Sequence, residues 1–208
     1  MKLSNFCASA VCLLVLGGTL AGCAPIIIGG AAVGAMVVAD RRTSGSQLED
    51  ESIELRAAGR VRETLGDRVH VSVTSYNRQV LLTGEVPNAQ DKQRAEQIVS
   101  QVENVRSIVN ELGVTPVTSL TERSQDALIT GKVKAAMVDA KDLSVSAFKV
   151  LTERGTVYLM GLVTQREAAR ATDIARSTGG VRKVVRVFEY LKEQDLPRTA
   201  PQTTAPKT

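Results

Sequence analysis

The side chain with the most distinctive chemical setting in this sequence is the thiol of Cys23. It directly follows Leu20-Ala21-Gly22. Upstream stand Lys2, an apolar run from Val11 to Leu16, and Gly17-Gly18-Thr19, which loosen the end of that run. A cationic start, a short apolar run and small residues at its end are the parts of a secretory signal. With a Cys in that place the segment resembles the bacterial lipobox. There the sulfur takes a diacylglyceryl group, the bond before the Cys is cut, and the freed amine is acylated in turn. Small residues are required because the peptidase binds an extended backbone in a tight groove. One acyl chain anchors marginally, and two or more anchor stably. Residues 1–22 are therefore expected to be a signal peptide and Cys23 the lipidation site. Cys7 and Cys12 leave with the signal, so no disulfide framework and no Cys-based metal site is expected. By the sorting rule of bacterial lipoproteins, Ala24 rather than Asp after the Cys favours the outer membrane, on its periplasmic face.

The second chemically suggestive group is Leu128 with Lys132, Lys134 and Lys141. On a helix, Leu128 falls off the apolar stripe and Lys132 lies one turn along. An exposed Leu flanked by Lys suits an anionic membrane surface. Each Lys near such a surface contributes ~1 kcal/mol, and desolvating a Leu ~1.5–3 kcal/mol. Charge distribution agrees. Ser124 to Asp195 carries 12 Lys/Arg and 9 Asp/Glu, whereas Asp50 to Thr115 carries 8 and 10. The plainer reading is that Leu128 packs against the other repeat while the lysines are a solvated face.

Little else points to chemistry. The one His, His70, sits in a strand pattern and has no partner motif, and neither G-x-S-x-G nor H-E-x-x-H occurs. Asp139 and Asp142 are too few oxygen ligands for calcium. There is no Gly-rich phosphate loop. With 3% aromatic residues and no Trp, the chain has few platforms for stacking nucleic-acid bases. The expectation is no enzyme, no cofactor, no metal and no nucleic-acid partner.

An internal repeat supplies the elements that must position these residues. Gln79-Val-Leu-Leu-Thr-Gly-Glu-Val86 matches Thr156-Val-Tyr-Leu-Met-Gly-Leu-Val163, Gly59-Arg-Val-Arg62 matches Gly131-Lys-Val-Lys134, and Asn104-Val-Arg-Ser-Ile-Val109 matches Gly180-Val-Arg-Lys-Val-Val185. Each copy reads helix, strand, strand, helix, strand, an α+β fold. In copy one Leu55, Ala58, Val61, Arg62 and Leu65 form the predicted helix stripe. Val69, Val71 and Val73 form a strand, Ser75 to Arg78 a turn with Asn77 suited to positive φ, and Val80 to Gly84 a second strand. A helix follows Pro87-Asn88, and Val105 to Val114 is the last strand. In copy two the helix is predicted over Ser124 to Met137 with core positions Ile129, Val133, Ala136 and Met137. Its strands are Leu143 to Leu151, Thr156 to Val163 and Val181 to Tyr190, its turn Glu153-Arg-Gly155 and its second helix Gln165 to Ser177. Two helices cover only one face of a three-stranded sheet, so each copy of ~65 residues is a thin sandwich near the lower size limit, and packing the copies together would help both. Gly84 and Gly161 occupy equivalent strand positions and are read as packing glycines where a helix crosses.

The expected layout is a signal peptide at 1–22, a lipidated N-terminus and tether at 23–49, domain one at 50–115, domain two at 124–192 and a disordered tail at 193–208, rich in Pro and Thr. Pro25 to Ala39 is apolar and Gly/Ala-rich, too short to span a bilayer comfortably. It reads either as a tether near the lipid surface or as a helix-packing stripe. Asp40, Arg41 and Arg42 are expected to re-enter water.

The Val-x-Leu-x-Gly-x-Val strand, the helix after it and the closing Val-Arg/Lys-x-Val-Val resemble the BON domain. Two such domains behind a lipobox are similar to the outer-membrane lipoproteins associated with division and envelope stress in Gram-negative bacteria. Ser44-Gly45-Ser-Gln-Leu48, Ile129-Thr-Gly-Lys-Val133, Val157 to Thr164 and Arg166-Glu167-Ala168 carry the likeness, which covers about Cys23 to Lys192. The resemblance implies an αββαβ fold twice and no catalysis. It implies binding of anionic phospholipid (phosphatidylglycerol, cardiolipin) mainly through the first helix of the second domain, with Leu128, Ile129, Lys132, Lys134 and Lys141 as candidates. It also implies a role in outer-membrane integrity and at division septa, with outer-membrane assembly or division proteins as partners. In that family an aromatic residue projects from this helix, where Leu128 stands here. Leu keeps the apolar insertion and loses the interfacial preference of Trp. The competing function is an adaptor that docks on an envelope protein without reading lipid headgroups.

Overall fold

The computed structural model describes residues 40–196. The lipobox with Cys23, residues 1–39 and the tail beyond 196 lie outside the described residues. All described residues fall in one compact unit, Val37–Thr208.

The first domain opens with α1 (Ser44–Leu65), whose N-cap Thr43 accepts a hydrogen bond from Ser46 N. Residues 44–49, expected in the tether, are thus helical, because a hydroxyl N-cap starts the helix there. Its inward stripe is Asp50, Ile53, Ala57, Val61 and Leu65. Leu55, expected inside, is 76% exposed. The observed stripe 53-57-61-65 and the expected stripe 55-58-61-62-65 share Val61 and Leu65, so periodicity alone does not separate them. Then come β1 (His70–Tyr76), β2 (Gln79–Val86), α2 (Ala89–Ser100), β3 (Ser107–Asn110) and β4 (Gly113–Val114). β1 pairs antiparallel with β2, and β3 and β4 both pair parallel with β2. The single last strand expected here is broken opposite Gly84, whose φ of 108° kinks β2.

The second domain repeats the order with α3 (Leu120–Asp139), β5 (Phe148–Glu153), β6 (Thr156–Val163), α4 (Gln165–Ser177) and β7 (Lys183–Tyr190). α3 starts four residues before the expected Ser124, at a Ser119–Glu122 capping box. β5 starts five residues later than expected, because a short 3-10 turn occupies Val145–Ala147. β6 runs antiparallel to β5 and parallel to β7. The observed class is the expected one: α+β, two αββαβ domains in tandem.

Period-two alternation divides each central strand between two cores. Val80, Leu82 and Val86 face α1 and α2, and Val157, Leu159 and Val163 face α3 and α4. The alternate residues meet across the domains, where Tyr76 and Leu81 pack with Tyr158, Met160 and Val187. The helix-free faces of the two sheets therefore cover each other, giving helices, sheet, sheet, helices. Tyr76 Oη donates to Ala147 O at 3.0 Å across this seam. Lys149 Nζ lies 2.7 Å from Glu54 and Arg106 Nη2 lies 2.6 Å from Glu189, so charge pairs rim it.

Gly84 and Gly161 differ from their expected reason. The nearest obstacle at each is main-chain carbonyl rather than a helix side chain. A Cβ at Gly84 would strike the His70 carbonyl, and one at Gly161 would lie 2.6 Å from the Ala147 carbonyl. At Gly84 the close approach comes from the first residue of β1, and at Gly161 from the 3-10 turn just before β5. Arg41 and Arg42 also differ, since neither returns to water. Arg41 makes a bidentate pair with Glu167 at 2.8 Å per bond and donates to Leu162 O at 3.0 Å. Arg42 bonds Asp40 and Asp50 and lies 4.2 Å above the Tyr76 ring. The segment that leads into the first domain is thereby fastened to α4 of the second.

Candidate functional site

Helix α3 presents two unlike faces. Asp126, Val133 and Met137 point inward and are buried. At 100° per residue the opposite face carries Leu120, Ser124, Ala127, Leu128, Gly131, Ala135 and Val138. All seven are exposed, with Leu120 at 79%, Leu128 at 66% and Val138 at 62%. One charged residue lies on this face, the exposed Asp139 in the last turn, which falls between Leu128 and Lys132 around the helix. Lys132 borders it on one side and Lys134 on the other, both exposed. A 20-residue helix thus shows solvent a strip of small and apolar side chains edged by Lys132 and Lys134, with Asp139 at its C-terminal end. Leu128 does not pack against the first domain, and its exposure removes the plainer reading of that residue.

Beside the strip runs a groove of about 680 Å³, lined by Leu128, Ile129, Lys132, Arg154, Gly180 and Arg182 among others. Its acids are committed within the fold. Asp126 accepts the backbone N–H groups of Arg154 and Gly155 at 2.7 and 2.8 Å. Glu122 accepts from Ser119 in the capping box, and those backbone and hydroxyl bonds hold its carboxyl below the usual carboxylate range. Lys132 and Arg182 make no ion pair among the described residues, so the open side of the groove is cationic.

Of the five residues expected to read lipid, Leu128 and Lys132 come together and Lys134 stands on the far edge of the strip. Ile129 turns the other way. It is half-buried against the core of its own domain, and a Cβ at Gly180 would lie 3.0 Å from its Cγ1. Lys141 lies past the helix end, ~20 Å along the axis from Leu128 at 1.5 Å per residue. Its loop is tied toward α4, where Arg170 Nε lies 3.1 Å from Asp142. Arg154 and Arg182 went unread in the sequence because a turn and a loop from outside the helix deliver them. Only the Asp126 bond to the turn could have pointed to Arg154.

Two stretches, residues 54–116 and 125–192, match the model of the BON domain. The chain is 40% identical over 182 residues to the outer membrane lipoprotein DolP of Haemophilus influenzae, covering 86% of this chain and 94% of that one. It is 30% identical over 155 residues to the 21 kDa hemolysin of Actinobacillus pleuropneumoniae, covering 74% and 80%. The C-terminal domain of CdsD, the structural protein of the Type III secretion system of Chlamydia trachomatis, is 12% identical with a TM-score of 0.29, covering 64% of this chain and 96% of that one, a likeness too slight to argue from. With both stretches matched and the DolP likeness spanning most of its length, the chain belongs to the BON-domain family, as an outer-membrane lipoprotein with two such domains.

Proposed function

We propose that this lipoprotein, anchored through an acylated Cys23 after removal of residues 1–22, lays the outer face of α3 on anionic phospholipid. The observation that carries the reading is the exposed apolar strip of Leu120, Leu128 and Val138 with Lys132 and Lys134 at its edges. Phosphatidylglycerol and cardiolipin supply the negative surface that the lysines and Arg182 favour, at ~1 kcal/mol per basic group. Desolvating Leu128 adds ~1.5–3 kcal/mol. These terms suffice for measurable binding to anionic vesicles, and the lipid anchor strengthens it by raising the effective concentration of the surface. In this reading the protein supports outer-membrane integrity, at division sites among others, as a binding protein without catalysis.

The chain has no Trp, so Leu128→Trp gives a fluorophore free of background. Vesicles containing phosphatidylglycerol should shift its emission to the blue and vesicles of phosphatidylcholine alone should not. An unchanged spectrum with both would overturn the reading. One observation favours an adaptor role as well. Leu48 and Leu55 on α1 are 66% and 76% exposed and lie two turns apart on one face, away from α3.

A further inference from the structure

Where β1 begins, the first domain meets the β5–β6 turn of the second around three ionisable side chains. His70 and Glu85 face each other in the β1–β2 pairing, and His70 Nδ1 lies 3.0 Å from Glu85 Oε2. Glu153, at the end of β5, brings a third ligand-type atom, and the three atoms lie within 4.8 Å of one another. Glu85 is fully buried. Its other oxygen, Oε1, accepts from Thr118 Oγ1 at 2.5 Å and lies 3.7 Å from Arg154 Nε, which leaves Oε2 for the His70 side. Burial pushes the Glu153 carboxyl upward, and the Glu85 carboxylate pushes it further. The cluster is reachable, since an open cavity of about 410 Å³ is lined by both His70 and Glu153. Gly84 shapes it as well. A Cβ there would lie 3.3 Å from His70 Nδ1, so the bare backbone leaves the imidazole its place beside Glu85.

We propose that His70, Glu85 and Glu153 form a Zn²⁺ site that joins the two domains. One imidazole nitrogen and two carboxylate oxygens are a zinc donor set, with water from the cavity as fourth ligand. Ligands bonded at ~2.0–2.1 Å around a tetrahedral ion stand roughly 3.3 Å apart. The His70–Glu85 pair is already close to that spacing, and Glu153 closes the remainder by a side-chain movement open to a half-buried residue at a turn. Thr118 orients Glu85 from outside the ligand shell. Ca²⁺ and Mg²⁺, which demand six or more oxygens, do not fit. The bound ion would fix the same turn that Asp126 holds from α3, stiffening the junction of the two domains.

The test is calorimetric titration of tag-free, full-length protein in detergent, stripped with chelator, with ZnCl₂. One saturable site per chain is expected, weakened roughly tenfold or more in His70→Ala and in Glu153→Gln. Both residues are partly exposed, so circular dichroism should show both variants folded. The single His also gives one set of imidazole resonances, which should shift on adding Zn²⁺ and stay unmoved with Ca²⁺. Wild-type protein that takes up no Zn²⁺ saturably, or variants that bind it as tightly as wild type, overturns the site.

Discussion

Asp126 repeats in the second domain the bond that Asp50 makes in the first. Each carboxylate reaches from the first helix of its domain to two backbone N–H groups of the hairpin turn. Asp50 accepts from Asn77 and Arg78 at 2.8 and 2.7 Å, and Asp126 from Arg154 and Gly155 at 2.7 and 2.8 Å. Both turns have two consecutive positive φ values, 50° and 67° in one, 51° and 70° in the other. That is the type I′ geometry, which leaves the two central N–H groups without a partner in the hairpin. The buried carboxylate satisfies both and fixes where the helix crosses the sheet.

Charge-assisted hydrogen bonds of this kind contribute ~1.5–3 kcal/mol each, and orphaning a buried donor is costly. Asp126→Ala is expected to lower unfolding stability by about 2–4 kcal/mol, with Asp126→Asn intermediate because one acceptor oxygen remains. Urea denaturation measures it. A loss within ~0.5 kcal/mol, the range of an ordinary surface change, would contradict the role.

Glu167 gives the fold a dependence on pH. Its side chain is 4% exposed. Burial pushes its carboxyl up, but the Arg41 guanidinium and the Thr164 N–H outweigh burial and hold it below its ordinary value of 4.5. A depressed folded value means that the unfolded chain takes the proton first as pH falls. The stability from this pair is therefore complete well above pH 4.5, declines from there, and is gone once pH passes below the folded value. Wild type and Glu167→Gln should differ most in urea midpoint at neutral pH and converge in acid. Parallel curves down to the acid limit would show that Arg41 and Glu167 are not coupled.

The strand motif Val-x-Leu-x-Gly-x-Val, twice, made the duplication and the α+β class legible, because a half-buried hairpin constrains every second residue. Helix register was not legible. Gly59-Arg-Val-Arg62 and Gly131-Lys-Val-Lys134 look alike and stand 72 residues apart, whereas Asp50 and Asp126, which do the same job, stand 76 apart. The two alignments differ by about one helical turn, so both keep the same face inward and periodicity cannot choose. Leu128 was found correctly as an outward residue, since exposure follows from the same wheel. Arg182, the Arg41–Glu167 clasp and the His70–Glu85–Glu153 junction were hidden, because each joins residues that only the tertiary fold brings together.

Flotation of residues 37–208, the compact unit without its lipid anchor, tests the central claim most directly. Liposomes with and without phosphatidylglycerol or cardiolipin would be spun with wild type and with Leu128→Glu. Wild type should float only with anionic lipid. Leu128→Glu, still folded by circular dichroism because the side chain points outward, should stay at the bottom. Equal flotation of both proteins, or of wild type with neutral lipid alone, would contradict reading of anionic lipid by α3.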